Sequence, residues 1–165
     1  MIEIEDLENL AKKREKNNYK FRTYLKNHAM PDELDMQFKE LHDKYFSMYD
    51  CAKCRNCCKK YRGTIPFEDV EKDAEYLGMS TASFKEKYLC EEANYEGYNT
   101  KSVPCDFFVD DKCILCDDKP QNCKEFPYTD KEDRIGSLLG IVEYTFVCPV
   151  VYEIMEELKT IYGFR

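Results

Sequence analysis

Hydrophobic and polar residues alternate at helical spacing over much of the chain. From Ile2 to about Asn27 the sequence is charged, and a thin apolar stripe through Leu7, Leu10, Phe21 and Leu25 predicts a helix. After the break at Pro31, residues Leu34, Phe38, Leu41, Tyr45 and Met48 recur at steps of three and four, so a second helix is expected to start near Pro31 and Asp32. Further on, "PFEDVEKDAEYLG" predicts a helix with Phe67, Val70, Ala74 and Leu77 facing inward and Gly78 stopping it. "MSTASFKEKYL" predicts another, capped at Ser80.

The remaining segments are less regular. "CDFFVDDKCIL" carries two short apolar runs joined by "DDK" and predicts a hairpin that brings Cys105 and Cys113 together. Pro120 is suited to begin a short helical turn carrying Cys123, ended at Pro127. In "GIVEYTFVCP" the alternation of Val142, Tyr144, Phe146 and Cys148 predicts a strand. Pro149 then opens a last helix, with Val151, Ile154, Leu158 and Ile161 inward. The expected fold class is therefore α+β: a small, mainly helical single domain with a short β-hairpin and strand region and a cysteine-rich, metal-stapled core. Its divisions are a helical arm at 1–49, a cysteine-cluster domain at 50–149 and a terminal helix at 150–165 that packs on that domain.

Composition narrows the functional classes. A chain of 165 residues, 43% hydrophobic and 14% aromatic, suffices for a sizeable core. Its formal net charge of -8 argues against nucleic acid and anionic membrane surfaces as partners, since both demand a basic face. The opening "MIEIEDLENLAKKREKN" is acidic where a secretory signal is basic and then apolar, so a cytoplasmic location is expected. In that setting the ten cysteines favour metal ligation or redox chemistry over a disulfide framework.

The densest chemistry lies in "DCAKCRNCCKKYR", where Cys51, Cys54, Cys57 and Cys58 are set among Lys53, Arg55, Lys59, Lys60 and Arg62. Thiolates, not thiols, bind metals, and several thiolates repel one another unless a cation joins them. Neighbouring basic residues lower thiol pKa values and offset the negative charge of a metal bound by four thiolates. The stretch therefore reads as a thiolate metal site with its own screening charge.

"CAKCRNCC", followed by "PCDFFVDDKCILCDDKPQNCKEFP" and a later "CP", resembles the YkgJ-type cysteine-cluster family, also described as CxxCxxCC or zinc- or iron-chelating domain proteins. The resemblance runs from about Cys51 to Pro149. It implies eight ligand positions, at Cys51, Cys54, Cys57, Cys58, Cys105, Cys113, Cys123 and Cys148. This chain departs from the family at Cys116, where an aromatic is usual, and at Lys119, where arginine is usual. Cys116 creates a local C-x2-C with Cys113, so a four-thiolate zinc site from Cys51, Cys54, Cys113 and Cys116 stays open as an alternative. Cys90 belongs to neither pattern and reads as a small buried hydrophobe.

Sulfur ligation suits zinc and iron-sulfur clusters alike, and C-x2-C-x2-C with a distant Cys-Pro is reminiscent of ferredoxin ligation. Eight thiolates equally suffice for two zinc ions. His28 and His42, the two histidines, read as structural or surface residues. The leading expectation is a cytoplasmic protein that binds a metal ion or cluster, an iron-sulfur cluster or zinc, with a redox or accessory role. A second is an enzyme, since the resemblance extends to flagellin lysine N-methylase, although no G-x-G-x-x-G, P-loop or zinc-protease motif is present. A third is a zinc-stapled interaction module that docks a protein partner through its helical arm.

Overall fold

The computed structural model describes residues 2–115 and 119–165. In chain order the described elements are α1 (Ile4–His28), α2 (Pro31–Phe46), α3 (Cys51–Cys54), α4 (Asn56–Lys60), β1 (Thr64–Pro66), α5 (Asp69–Tyr76) and α6 (Thr81–Tyr88). They continue with β2 (Leu89–Ala93), β3 (Gly97–Thr100), β4 (Phe108–Val109), β5 (Lys112–Cys113), α7 (Gln121–Glu125), α8 (Arg134–Tyr144) and α9 (Pro149–Ile161). The fold is α+β and mainly helical, with two small antiparallel sheets. The chain forms two compact units, one made of the residues up to Cys54 with Pro127–Arg165, the other of Arg55–Phe126.

The first unit is helical. α1 packs against α8 and α9, and α2 packs against the same pair. The stripe read from the sequence is buried at Leu7, Phe21 and Leu25 of α1 and at Leu34, Phe38 and Leu41 of α2. Met48 lies beyond the end of α2 and is 59% exposed, which corrects the expected inward face at that position. Pro149 opens α9 with Val151, Ile154 and Leu158 buried, whereas Ile161, its last residue, is 51% exposed.

The strand expected around Val142 to Cys148 is instead the end of α8 and a turn. Alternation is only a subset of the pattern here. Leu138, Ile141, Val142 and Thr145 are buried together at steps of three, one and three, which is a helical face. A strong start fixes the choice. Asp133 adopts a left-handed conformation, φ 58°, and its side chain accepts from the Gly136 N–H at 3.2 Å. The Asp35 carboxylate of α2 meanwhile accepts from the N–H groups of Asp133 and Arg134, each at 2.8 Å.

In the second unit β3 lies between β1 and β2, all antiparallel. These three strands are short and largely polar, so no apolar alternation marks them in the sequence. Gly97 is the residue that permits the pairing. It has φ 153°, and a Cβ there would stand 2.1 Å from the Ile65 carbonyl oxygen. Ile65, Val70, Ala74, Phe84, Leu89, Phe107 and Leu115 form the core beside this sheet, with Cys105 and Cys113 packed against it. α5 starts only at Asp69, so Phe67 precedes it; Phe67 is 50% exposed and makes an edge contact with Tyr98 instead of facing inward. α6 is capped as expected, the Ser80 hydroxyl accepting from Ser83 N–H at 3.2 Å.

Candidate metal centre

The motif "CAKCRNCC" is two helical turns with a break at Arg55. Cys51 and Cys54 lie on α3, Cys57 and Cys58 on α4, and Arg55 between them takes a left-handed conformation with φ 52°. A helix that continued through Arg55 would spread the four sulfurs over one continuous surface. With the break, Cys51 and Cys54 belong to the first compact unit and Cys57 and Cys58 to the second. The Asp50 side chain starts α3 by accepting from Ala52 N–H at 2.9 Å.

In the second unit the hairpin forms as read from the sequence. Phe108 pairs with Cys113 and Val109 with Lys112, and Asp110 and Asp111 both have positive φ, 49° and 58°. Two such residues make the tight turn whose twist suits paired strands, and aspartate tolerates that conformation better than most residues. The Cys105 N–H donates to the Cys58 carbonyl oxygen at 2.8 Å, which fastens the start of this hairpin segment to the adjacent pair. Pro120 begins α7, and the Asp69 carboxylate accepts from Gln121 N–H at 3.1 Å. α7 packs on β1, so that the Cys123 sulfur lies over Gly63, 3.5 Å from where a Cβ would be.

These supports make Cys58, Cys105, Cys113 and Cys123 electrostatic neighbours. Burial pushes the Cys105 thiol up to about 11, with the Cys58 and Cys113 sulfurs adding to the shift. The Cys123 thiol is pushed up to about 12, by desolvation first and then by the Cys105, Cys113 and Cys58 sulfurs. Residue Cys123 as a whole is solvent-exposed. Its sulfur is nevertheless the sheltered part, tucked over Gly63. Cys58 moves the other way, to about 6, because Cys57 hydrogen-bonds to it and Arg55 and Lys119 stand nearby, against the effect of burial. One thiolate is thus favoured among thiols that hold their protons.

Cys148, Cys51 and Cys54 form the corresponding group in the first unit. Cys148 immediately precedes α9 and is buried, which pushes its thiol up to about 12, while the N–H groups of Val151 and Val150 offset part of the shift. The Tyr49 hydroxyl is buried beside the Cys54 sulfur, and its pKa is raised by that burial and by Cys54. Tyr49 and Cys54 share a cleft of about 250 Å³ with Ile2, Ile4, Asp50 and Lys53.

The basic residues of the motif divide their work. Arg55 acts on Cys58, and Lys119, outside the motif, joins it. Lys53 pairs with Asp50 at 3.6 Å, and Lys59 approaches Asp111 at 3.9 Å and the Phe108 ring at 5.6 Å. Arg62 donates to the Lys101 carbonyl oxygen at 3.1 Å. Among the described residues, the contacts of both histidines are with other groups than sulfur. His42 Nδ1 lies 2.8 Å from the Thr129 hydroxyl, and the His28 ring packs on Tyr24 at 4.4 Å. Cys90 is half-buried and points its thiol at the Thr100 carbonyl oxygen, 3.6 Å away. Cys116 lies outside the described residues, so its relation to Cys113 is not part of this geometry.

A family model decides what this constellation is related to. It matches residues 50–140 and is described as "CxxCxxCC: Putative zinc- or iron-chelating domain". The chain belongs to the CxxCxxCC family. The match covers seven of the eight sulfur positions named above and ends before Cys148. No curated protein and no solved structure matches the chain.

The donor chemistry fits what the CxxCxxCC family is described as chelating. Nine cysteines lie among the described residues, and thiolate sulfur is the ligand that zinc and iron share. Among the described residues, however, no three His, Cys, Asp or Glu side chains stand as a ready coordination shell. The sulfurs are neighbours whose side chains must turn and lose protons to ligate. Two neighbours of the sulfurs have no assigned part in the sequence reading. Tyr49 is one tyrosine of 13 with no motif of its own, and Lys119 sits outside the obvious basic run.

Proposed function

We propose that this member of the CxxCxxCC family holds zinc or iron, the latter as an iron-sulfur cluster, through the thiolates of Cys51, Cys54, Cys57, Cys58, Cys105, Cys113, Cys123 and Cys148, and serves a redox or accessory role. Within that reading, Cys57, Cys58, Cys105, Cys113 and Cys123 supply ligands from the second unit, and Cys51, Cys54 and Cys148 from the first. The observation that supports it best is the backbone bond from Cys105 to Cys58, which brings the adjacent cysteine pair to the loop that carries Cys105 and Cys113. An adjacent pair with one depressed thiol, tied by its backbone to a second cysteine loop, favours a first thiolate for a cation to meet. Bound metal would then draw off the protons of the more buried thiols and join otherwise repelling charges. Such chemistry needs reduced thiols, in keeping with a cytoplasmic setting.

The experiment that divides the alternatives is visible absorption of protein purified without oxygen. A brown protein whose colour bleaches reversibly on reduction supports an iron-sulfur cluster with a redox role. A colourless protein carrying zinc assigns the sulfurs a stapling role and removes the redox part of the proposal.

A further inference from the structure

We infer that Tyr49 is a positioning residue for Cys54, set to donate a hydrogen bond to its sulfur when Cys54 ligates a metal ion. The inference rests on the thiolate reading and adds a residue that lies outside the cysteine pattern.

Tyr49 is only half-buried as a residue, but its hydroxyl is shut away from solvent and has no oxygen or nitrogen partner among the described residues. It lies in the same cleft as Cys54, whose sulfur acts on it most strongly of the three sulfurs around it, ahead of Cys148 and Cys51. The backbone fixes this approach on both sides. Tyr49 N–H donates to the Phe46 carbonyl at 3.4 Å, and the Cys54 N–H donates to the Asp50 carbonyl at 3.1 Å, so the backbone is held at both ends of the short segment that carries the phenol and the thiol. Ile2 and Ile4 line the shared cleft together with Glu3 and Asp50, and among the described residues neither carboxylate accepts from the hydroxyl.

The contact falls short of a regular hydrogen bond, and the reason is chemical. A neutral thiol is a weak acceptor, whereas a thiolate is a strong one whose bonds are charge-assisted. A phenol poised at that sulfur therefore gains most when Cys54 gives up its proton to a metal. The bond would orient the sulfur and draw off part of its charge, as outer partners of metal ligands do. A tyrosine kept only to fill space would serve equally well as phenylalanine, and that is the distinction to measure.

The test uses the full chain with zinc competed against a chromophoric chelator, and with cobalt(II) as a spectroscopic probe. Tyr49→Phe is expected to weaken zinc binding by about 10- to 100-fold, the usual cost of losing an outer-shell partner. It should also shift the sulfur-to-cobalt charge-transfer band while leaving the unfolding midpoint of chelator-treated protein in place. Tyr95→Phe, at a position 91% exposed, is the control and should change neither. In a Cys54→Ser background, Tyr49→Phe should have no further effect on residual zinc binding. Should Cys54→Ser bind no zinc, the cobalt band of Tyr49→Phe alone decides. Wild-type affinity with an unmoved cobalt band overturns the inference, as does an equal loss in the Cys54→Ser background. A wild-type chain that binds neither metal overturns the thiolate reading itself, and this inference with it.

Discussion

The N–H of Cys105 donates to the carbonyl oxygen of Cys58 at 2.8 Å. Because the bond is between backbones, it registers two cysteine loops without using either thiol. Replacing a sulfur should therefore leave the local fold in place while removing a ligand. Cys58→Ser and Cys105→Ser are each expected to keep the circular dichroism of chelator-treated wild type and to lose bound metal, read by elemental analysis. Serine is a poor substitute because its hydroxyl does not ionise to a soft ligand in this pH range. Full metal content in both variants would contradict the assignment.

Cys116 and Cys123 separate the family ligand set from the local C-x2-C alternative. Cys123 lies over Gly63 among the Cys105, Cys113 and Cys58 sulfurs, so Cys123→Ser should release metal. Cys116→Tyr restores the aromatic usual in the resembling sequences and should retain full content. Reversal of the two results would move the ligands to Cys51, Cys54, Cys113 and Cys116.

The thiol pKa values set a dependence on pH. Cys105 at about 11, Cys123 at about 12 and Cys148 at about 12 are protonated near neutrality and must lose protons to ligate. Apparent zinc affinity should accordingly rise by more than about tenfold per pH unit when more than one proton is released. Folding stability has the opposite sign at Cys58. Its folded pKa of about 6 lies below the ordinary 9.0, so the thiolate stabilises the fold fully above pH 9.0, and the benefit fades towards about 6. The three raised thiols contribute below 9.0 and lose that contribution as pH climbs through 11 and 12. Chelator-treated Cys58→Ala should show a flatter denaturation midpoint between pH 6 and pH 9.0 than wild type. An identical pH profile would sink this account of Cys58.

Gly97 provides a structural test away from sulfur. Alanine there would bring a Cβ against the Ile65 carbonyl in a backbone conformation that side chains resist. Gly97→Ala should cost about 2 kcal/mol or more, within the range for strain at a special backbone position, measured by denaturant unfolding. A change within about 0.5 kcal/mol, the usual surface value, would show that the strand pairing yields easily.

The chain disclosed its elements wherever a repeated apolar face met a local start or stop signal. Leu34, Phe38 and Leu41 after Pro31, Ser80 before α6 and the "DD" of the hairpin are of that kind. β1, β2 and β3 were illegible because they are polar and short, and their order depends on a glycine meeting a carbonyl from another strand. Val142 to Cys148 misled because alternation and helical spacing share residues, and the Asp35 contacts that start α8 are distant in sequence. The cysteine set was legible as chemistry. Its division at Arg55 was not, since a left-handed arginine carries no composition signal.

Elemental analysis of the full chain, purified without oxygen and with its thiols shown to be reduced, tests the central claim most directly. The account expects zinc or iron in stoichiometric amount, retained through gel filtration and lost when Cys58 and Cys123 are both replaced by serine. Folded, fully reduced protein that carries neither metal, and acquires neither when it is supplied, would contradict it.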